Sequence, residues 1–482
     1  MSNILTWNAI ALEITRRDHS QGYANGQHSG PTRTSRALAI SHIAIYNAVA
    51  AIQSPGALYG GLGAGAPLGA SPDVSAVVDG AASQALRLLY PRHTQLIDDS
   101  VSADTGNAAY KGGVQIGQAV FDSRAADKSD LPDPSAPGNE QPYGAHRPDP
   151  YEPKQPLLGK RWGEVDRFTN PSHKPLEPFP GKGSASYLDN AHYLADYQEV
   201  KAKGARGGSR TPEETMIGTY WGYDGATGLG VPPRLYNQIV RTVLWDRMKA
   251  GKGALADLEM ALLFAKVNVA MADAGIDAWH HKYTGNNLWR PVIGIRKEPA
   301  GNASGSAPDY FWAPLGAPQT NRPATGPRTP PFPAYPSGHA TFGAAVFQVL
   351  RLHFGGAAIT IQNVLAATPT DASDDAFMFV SDELDGIATD TDGSLRTRLD
   401  RKFTSYPYAV FENAISRVYL GVHWRFDGLP KAGSTGSGLN TGGVPLGLAV
   451  GAEAHAHFAA LAAPAPSGKS SGAGGQKKGK KS

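Results

Sequence analysis

The chain has 482 residues, 41% of them hydrophobic and 18% charged, with a formal net charge of +3; that composition supports a large buried core and excludes a disordered chain. The last segment, Ser467 to Ser482, carries five lysines and no acid, so the rest of the chain stands at −2 and offers no basic face for nucleic acid. Cysteine is absent and methionine numbers 6, which excludes disulfides, thiolate catalysis and Cys-ligated metals and suits a protein working beside a strong oxidant.

Helical periodicity recurs between long Gly/Pro-rich loops, and strand-like alternation is nearly absent. Helices are predicted near 5–17, 35–54, 73–90, 107–124, 187–202, 211–222, 233–249 and 254–280, and again near 338–354, 374–385, 396–419 and 442–462. The opening twenty residues lack a basic start followed by a clean apolar run, so no secretory signal is expected. The apolar stretch Ala37 to Ile52 is short and broken by Ser41, His42 and Asn47, so no membrane span is predicted. A soluble protein, cytoplasmic or exported without a signal, is the expectation. Thr211-Pro212-Glu213-Glu214 has the cap, first-turn proline and third-position acid of a helix start. Ala256 to Trp279 is apolar on most faces and reads as a central helix.

Asp130 to Pro156 and Arg296 to Pro336 are loops by composition, and so long a segment without periodicity is often functional. The expected fold is all-α: two helical bundles of four-helix type joined by long Pro/Gly-rich loops, covering 1–210 and 211–462. Residues 463–482 form a basic tail expected to be disordered.

Four segments from Tyr220 onward could carry chemistry. In Phe332 to Gln348, Ser337 is a natural helix cap, Gly338 permits close approach, and His339 follows at a helix start, where unpaired N–H groups favour an anion. In Trp279 to Pro291, Lys282 and Arg290 stand among apolar residues. In Ser416 to Gly428, Arg417 lies in a helical pattern that Gly421 should end, with His423 just beyond. In Tyr220 to Gln238, Asp224 sits among aromatics, where a buried carboxylate needs an arginine. Taken singly, each also reads as an ordinary cap, a surface cation or interior packing. Together, three cations, a helix N-terminus and two histidines make a cage for a small oxyanion such as phosphate or vanadate. Metal motifs are lacking: there is no HExxH, and the acidic stretch Asp371 to Gly393 has no EF-hand spacing and reads as solvated surface.

The stretches KYTGNNLWRP, FPAYPSGHATFGAAVFQ and FENAISRVYLGVHWRFDG resemble the vanadium-dependent haloperoxidases, the fungal chloroperoxidase type above all. That family shares its active-site plan with type-2 phosphatidic acid phosphatases and bacterial acid phosphatases. The resemblance implies vanadate as cofactor, with His423 as its protein ligand. Lys282, Arg290, Ser337, Gly338 and Arg417 would hold vanadate oxygens, and His339 would be the acid–base residue. Asp224 would anchor Arg417, and Trp279 and Phe332 would line the halide side. Hydrogen peroxide, halide and small organic acceptors are the implied partners, with bromide and chloride oxidised to hypohalous acid.

One feature departs from the family pattern: seven residues, not six, separate Lys282 from Arg290. On a regular helix the extra step swings a side chain about 80° from the shared face. Either a π-bulge or break at Gly285-Asn286-Asn287 absorbs it, or Lys282 points elsewhere and the cage loses a cation. The same cage also suits phosphomonoester hydrolysis with His423 as nucleophile, and a non-catalytic oxyanion-binding protein is a third reading.

Overall fold

The structure, a computed structural model, describes residues 2–20, 26–134, 141–298, 302, 304–323, 325–371, 373 and 375–462; the predicted disorder of the basic tail falls outside the described residues. The N-terminal half holds α1 (Asn3–Asp18), α2 (Pro31–Gln53), α3 (Val74–Leu89), α4 (Ala108–Asp122) and α5 (Ala191–Lys203). It is followed by α6 (Pro212–Tyr220), α7 (Pro232–Lys249), α8 (Asp257–His281), α9 (Pro291–Lys297), α10 (Gly338–His353), α11 (Tyr406–Tyr419) and α12 (Gly443–Ala462). Local chemistry sets the starts. Asp73 and Asn107 cap α3 and α4, and Thr211 with Glu214 forms the reciprocal capping box predicted for α6.

The apolar helix α2 runs 23 residues, longer than read from the sequence, because Pro31 opens it and Thr32 to Arg36 join the same turn pattern. By length and composition it is apolar enough to cross a membrane, yet 89% of its most apolar window is buried inside the protein. It packs along α8 and α3.

Two predicted helices are corrected. Where 374–385 was expected to be helical, Phe377–Val380 forms β1, and the start of 396–419 is instead β2 (Asp400–Phe403), paired antiparallel with Phe377 opposite Phe403. Phe377 and Phe379 are buried while Met378 between them is exposed, a period-2 pattern that an acid-rich context obscured. Helix α11 starts only at Tyr406, after Ser405 caps it. Nor is the acidic stretch a solvated surface throughout: Glu383 is fully buried and accepts the Tyr223 N–H at 3.0 Å and Arg396 Nη1 at 2.7 Å. That carboxylate braces the loop after α6 that leads to Asp224.

Helix α8 packs against α2, α10 and α12, which makes it the central element. One apolar cluster draws on residues from Ile4 to Phe458, on both sides of residue 210. Helix α12 lies close on α10: a Cβ at Gly443 would meet Ser337 O at 2.4 Å, and one at Gly447 would meet Thr341 O at 2.2 Å, so only glycine permits this approach. A second cluster, aromatic and including Tyr193, Trp289, Tyr335, Trp424 and Phe426, underlies the segments that carry Arg290 and His423.

Candidate active site

Helix α8 ends in a π turn over Lys282–Asn286, with Asn287 N bonded to Lys282 O at 2.8 Å, Gly285 at φ 120° and Asn287 at φ 43°. This turn absorbs the additional residue between Lys282 and Arg290. The chain then runs extended, pinned by Trp289 N to Gly144 O (2.8 Å) and by Leu288 O, which accepts Ala334 N at 2.8 Å. Pro291 opens α9 and leaves Arg290 at its cap position.

Arg290 is buried and points back. Its Nε donates to Phe332 O (2.8 Å) and its Nη1 to Val422 O (2.8 Å), with His423 Nε2 2.9 Å from Nη1. Its Nη2 is buried with no hydrogen-bond partner among the described residues. Lys282 lies beside it, but its Nζ donates to three carbonyls, Pro333 O (2.7 Å), Ala334 O (3.1 Å) and Pro336 O (2.5 Å). All three ammonium protons are thereby occupied. Burial, and then the Arg290 charge, hold its pKa well below the ordinary lysine value.

The second half of the site comes from α11 and the turn after it. Arg417 forms a two-point pair with Asp224, Nη2 to Oδ1 at 2.7 Å and Nη1 to Oδ2 at 3.0 Å, and its Nε is buried without a partner among the described residues. Gly421, at φ 69° and against Gly204, ends the helical path as predicted and turns His423 inward. His423 Nδ1 is 2.8 Å from Asp427 Oδ2, which also accepts Trp424 N at 3.0 Å. An N–H on Nδ1 facing this carboxyl leaves Nε2 with a lone pair. Burial, then Arg290, Lys282 and Arg417, keep the ring well below its ordinary pKa and so neutral. Burial also pushes the Asp427 carboxyl up to about 8.

Ser337 caps α10, accepting Ala340 N at 3.5 Å, while its own N–H donates to Asp427 O at 2.7 Å. The N–H groups of Gly338 and His339 have no acceptor within the helix, and both residues line the cavity. His339 O is held by Tyr236 Oη (2.9 Å) and Asn413 Nδ2 (3.0 Å). Its Nε2 faces two carbonyls, Gly222 O at 2.7 Å and Trp221 O at 3.1 Å, so that nitrogen carries the proton and Nδ1 is the basic one. Burial first, then Arg417 with Nη1 at 3.5 Å, push its pKa down to about 4.

Phe332 and Trp279 meet with ring centroids 4.7 Å apart, and Phe332 also faces Lys282 Nζ (5.1 Å) and the Arg290 guanidinium (4.9 Å). They form one wall of a cavity of about 340 Å³ whose lining includes Asp224, Gly338, His339, Arg417 and His423. Of the ten residues singled out from the sequence, Lys282, Arg290 and Ser337 do not themselves line it.

Sequence reasoning missed three contributors. Asp427 orients His423, and its position four residues on, at the third place of the short helix Arg425–Gly428, was the available signal. The carbonyls of Trp221 and Gly222, being backbone, gave none. His146 is the third: its N–H donates to Asn287 O at 2.7 Å, and its imidazole is buried within electrostatic reach of Arg290 and Lys282. Both its ring nitrogens lack a partner among the described residues.

A carboxylate-held guanidinium and two neutral imidazoles lining one cavity, with two carbonyl-braced cations packed beside His423 and Phe332, define a helical protein suited to a small oxyanion. Its sequence is 34% identical to vanadium chloroperoxidase of Curvularia inaequalis, over 88% of this chain and 78% of that protein. The chain belongs to the vanadium chloroperoxidase family, and the family model described as the VCPO second helical-bundle domain matches residues 262–461. The fold is similar to that of a bacterial vanadium-dependent iodoperoxidase (TM-score 0.63, 20% identity, covering 94% of this chain and 95% of that one). It is also similar to a holo-type bacterial vanadium-dependent chloroperoxidase (TM-score 0.59, 14% identity, 90% and 93%).

Proposed function

We propose that this chain is a vanadate-dependent haloperoxidase that oxidises bromide and chloride with hydrogen peroxide to hypohalous acid, consuming one proton and releasing water. The observation that carries the reading is the pair of bare, buried guanidinium donors, Arg290 Nη2 and Arg417 Nε. A buried N–H without an acceptor is costly, and two of them, each on a guanidinium otherwise held by carbonyls or a carboxylate, suit an anion with several oxygens. Vanadate fits this donor set: His423 Nε2 would supply the lone pair for the metal, while Arg290, Arg417 and the N–H of Gly338 would hold its oxygens. Bound there, vanadate would supply a Lewis acid that activates peroxide toward halide.

The chain's own residues do the remainder. Asp427 fixes the His423 tautomer, so Nε2 stays unprotonated. Asp224 holds Arg417 in one orientation. His339, neutral and with Nδ1 basic, takes or gives the proton at that atom. Phe332 and Trp279 give the halide an apolar wall backed by cations. Lys282 acts through the Pro333–Pro336 carbonyls, which position the start of α10 and, with Arg290, keep the field positive. We propose further that the site-bearing bundle is the 211–462 segment, a reading the family match within it supports. Family membership does not favour the phosphomonoesterase or non-catalytic readings.

The test is halogenation of a monochlorodimedone-type acceptor with peroxide and bromide, then chloride, with and without orthovanadate. Absence of vanadate-dependent turnover with bromide would refute the proposal.

A further inference from the structure

The cavity above the site is lined by more charge than the oxyanion cage uses. Its lining includes three arginines, Arg322, Arg328 and Arg417, and two carboxylates, Glu152 and Asp224. Arg417 is paired with Asp224, and Arg328 with Glu152, whose two oxygens it meets at 2.9 Å through Nη2. Arg322 has no ion pair among the described residues. Its Nη2 donates to Gly225 O at 2.8 Å, and its Nε is buried without a partner among the described residues. That carbonyl belongs to the residue after Asp224, so the unpaired guanidinium is tied to the backbone that carries the Arg417 anchor. The same cavity is lined by stiff apolar residues, Pro31, Pro156, Leu158, Pro318, Pro330 and Pro331, and Arg328, Glu152 and Glu383 lie within electrostatic reach of Arg322 without forming an ion pair with it among the described residues. A guanidinium in such surroundings attracts a carboxylate more strongly than one in open water.

We propose that Arg322 is the recognition residue of an acceptor subsite for organic anions, specifically electron-rich aromatic acids. Their carboxylate would pair with Arg322 while the ring lies on the proline wall. The proposal rests on the haloperoxidase reading for its use, but the binding itself does not. A carboxylate left in water has no such partner, so acids are retained near the oxidant and neutral phenols are not. Holding the acceptor in the cavity converts a diffusive encounter with hypohalous acid into a local one.

The test uses 4-hydroxyphenylacetate and neutral 4-ethylphenol as probes. Calorimetric titration is run on the full-length protein with the cage filled with orthovanadate, so that the acid cannot occupy the cage. Wild type is expected to bind the acid, and Arg322→Gln to bind it at least about tenfold more weakly. In bromination assays the variant's KM for the acid should rise by a similar factor, with kcat and the 4-ethylphenol KM unchanged. Arg322→Lys, which keeps the charge, should recover part of the affinity and serves if the glutamine variant fails to fold. Equal affinity of wild type and both variants, or no binding of the acid by vanadate-filled wild type, overturns the proposal even if halide oxidation is intact. Binding that is intact without any vanadate-dependent turnover would instead overturn the haloperoxidase reading alone.

Discussion

Asp427 offers the sharpest test of how the site is held, because it does not line the cavity and acts through His423. Its Oδ2 accepts from His423 Nδ1 at 2.8 Å and from Trp424 N at 3.0 Å, and its Oδ1 is buried without a partner among the described residues. Asp427→Ala strands both donors in a fully buried place, at a cost on the order of 1–3 kcal/mol each. It also releases the imidazole to move its proton to Nε2, the atom needed to bind the metal. Loss of such an outer partner lowers metal affinity about 10–100-fold, or roughly 1.4–2.7 kcal/mol of binding free energy. Asp427→Asn keeps an oxygen for both donors and puts its amide where the unpaired Oδ1 stands, so its affinity should fall less than about tenfold. Equilibrium dialysis against orthovanadate reads both variants directly, with circular dichroism as the check on folding. A folded Asp427→Ala variant that retains vanadate as tightly as wild type would refute the claim that this carboxyl sets the His423 tautomer.

Lys282→Met strands three buried carbonyls but also removes a buried ammonium, so the net loss should be about 1–3 kcal/mol, seen as a lower urea midpoint; an unchanged midpoint would deny that these bonds hold the Pro333–Pro336 segment. Phe332→His replaces the apolar wall beside Lys282 and Arg290, and the ratio of chloride to bromide turnover is expected to fall in steady-state assays. His42 is fully buried, with Nδ1 on Leu38 O at 2.7 Å and Nε2 on Asn8 at 2.9 Å, and burial pushes its pKa from 6.5 down to about 4. Its folded form therefore binds fewer protons than the unfolded chain between those values, and stability present above pH 6.5 is lost as pH falls, by about 1.4 kcal/mol per unit. The stability gap between wild type and His42→Gln should narrow accordingly from pH 6.5 to pH 5. Orthophosphate at 100 times its dissociation constant should stabilise the vanadate-free protein by about 2.7 kcal/mol, raising its thermal midpoint.

Much of the helical frame was legible because apolar periodicity and caps are local: the Thr211–Glu214 box and the Gly421 stop appear where the residues place them. The site was legible as residue types in three short motifs, and the structure brings His339, Arg417 and His423 to one cavity. What the sequence could not show is what those side chains touch. Lys282 reads as a free cation, yet its protons are taken by carbonyls some fifty residues on. His339 reads as a helix-start residue beside an anion, yet what orients it is the loop after α6, whose carbonyls hold its Nε2. The β1–β2 pair was missed because four-residue strands in an acidic loop carry too short an alternation to stand out.

The proline run before α10 explains how so many cations can be buried together. Arg290 and Lys282 are satisfied chiefly by Phe332 O, Pro333 O, Ala334 O, Pro336 O and Val422 O, and Arg417 alone of the three takes a carboxylate. Carbonyls occupy N–H groups without cancelling charge, whereas a carboxylate on each cation would leave no net field for an anion. Such carbonyls must be free of helix or sheet bonding, and Pro330, Pro331, Pro333 and Pro336 ensure that, since proline has no N–H to continue a ladder and disfavours helix in the residue before it. The same prolines stiffen the wall above, so the segment costs little entropy to order. A loop that looks irregular in sequence is thereby the acceptor array that lets the protein keep buried cations in place before any anion arrives.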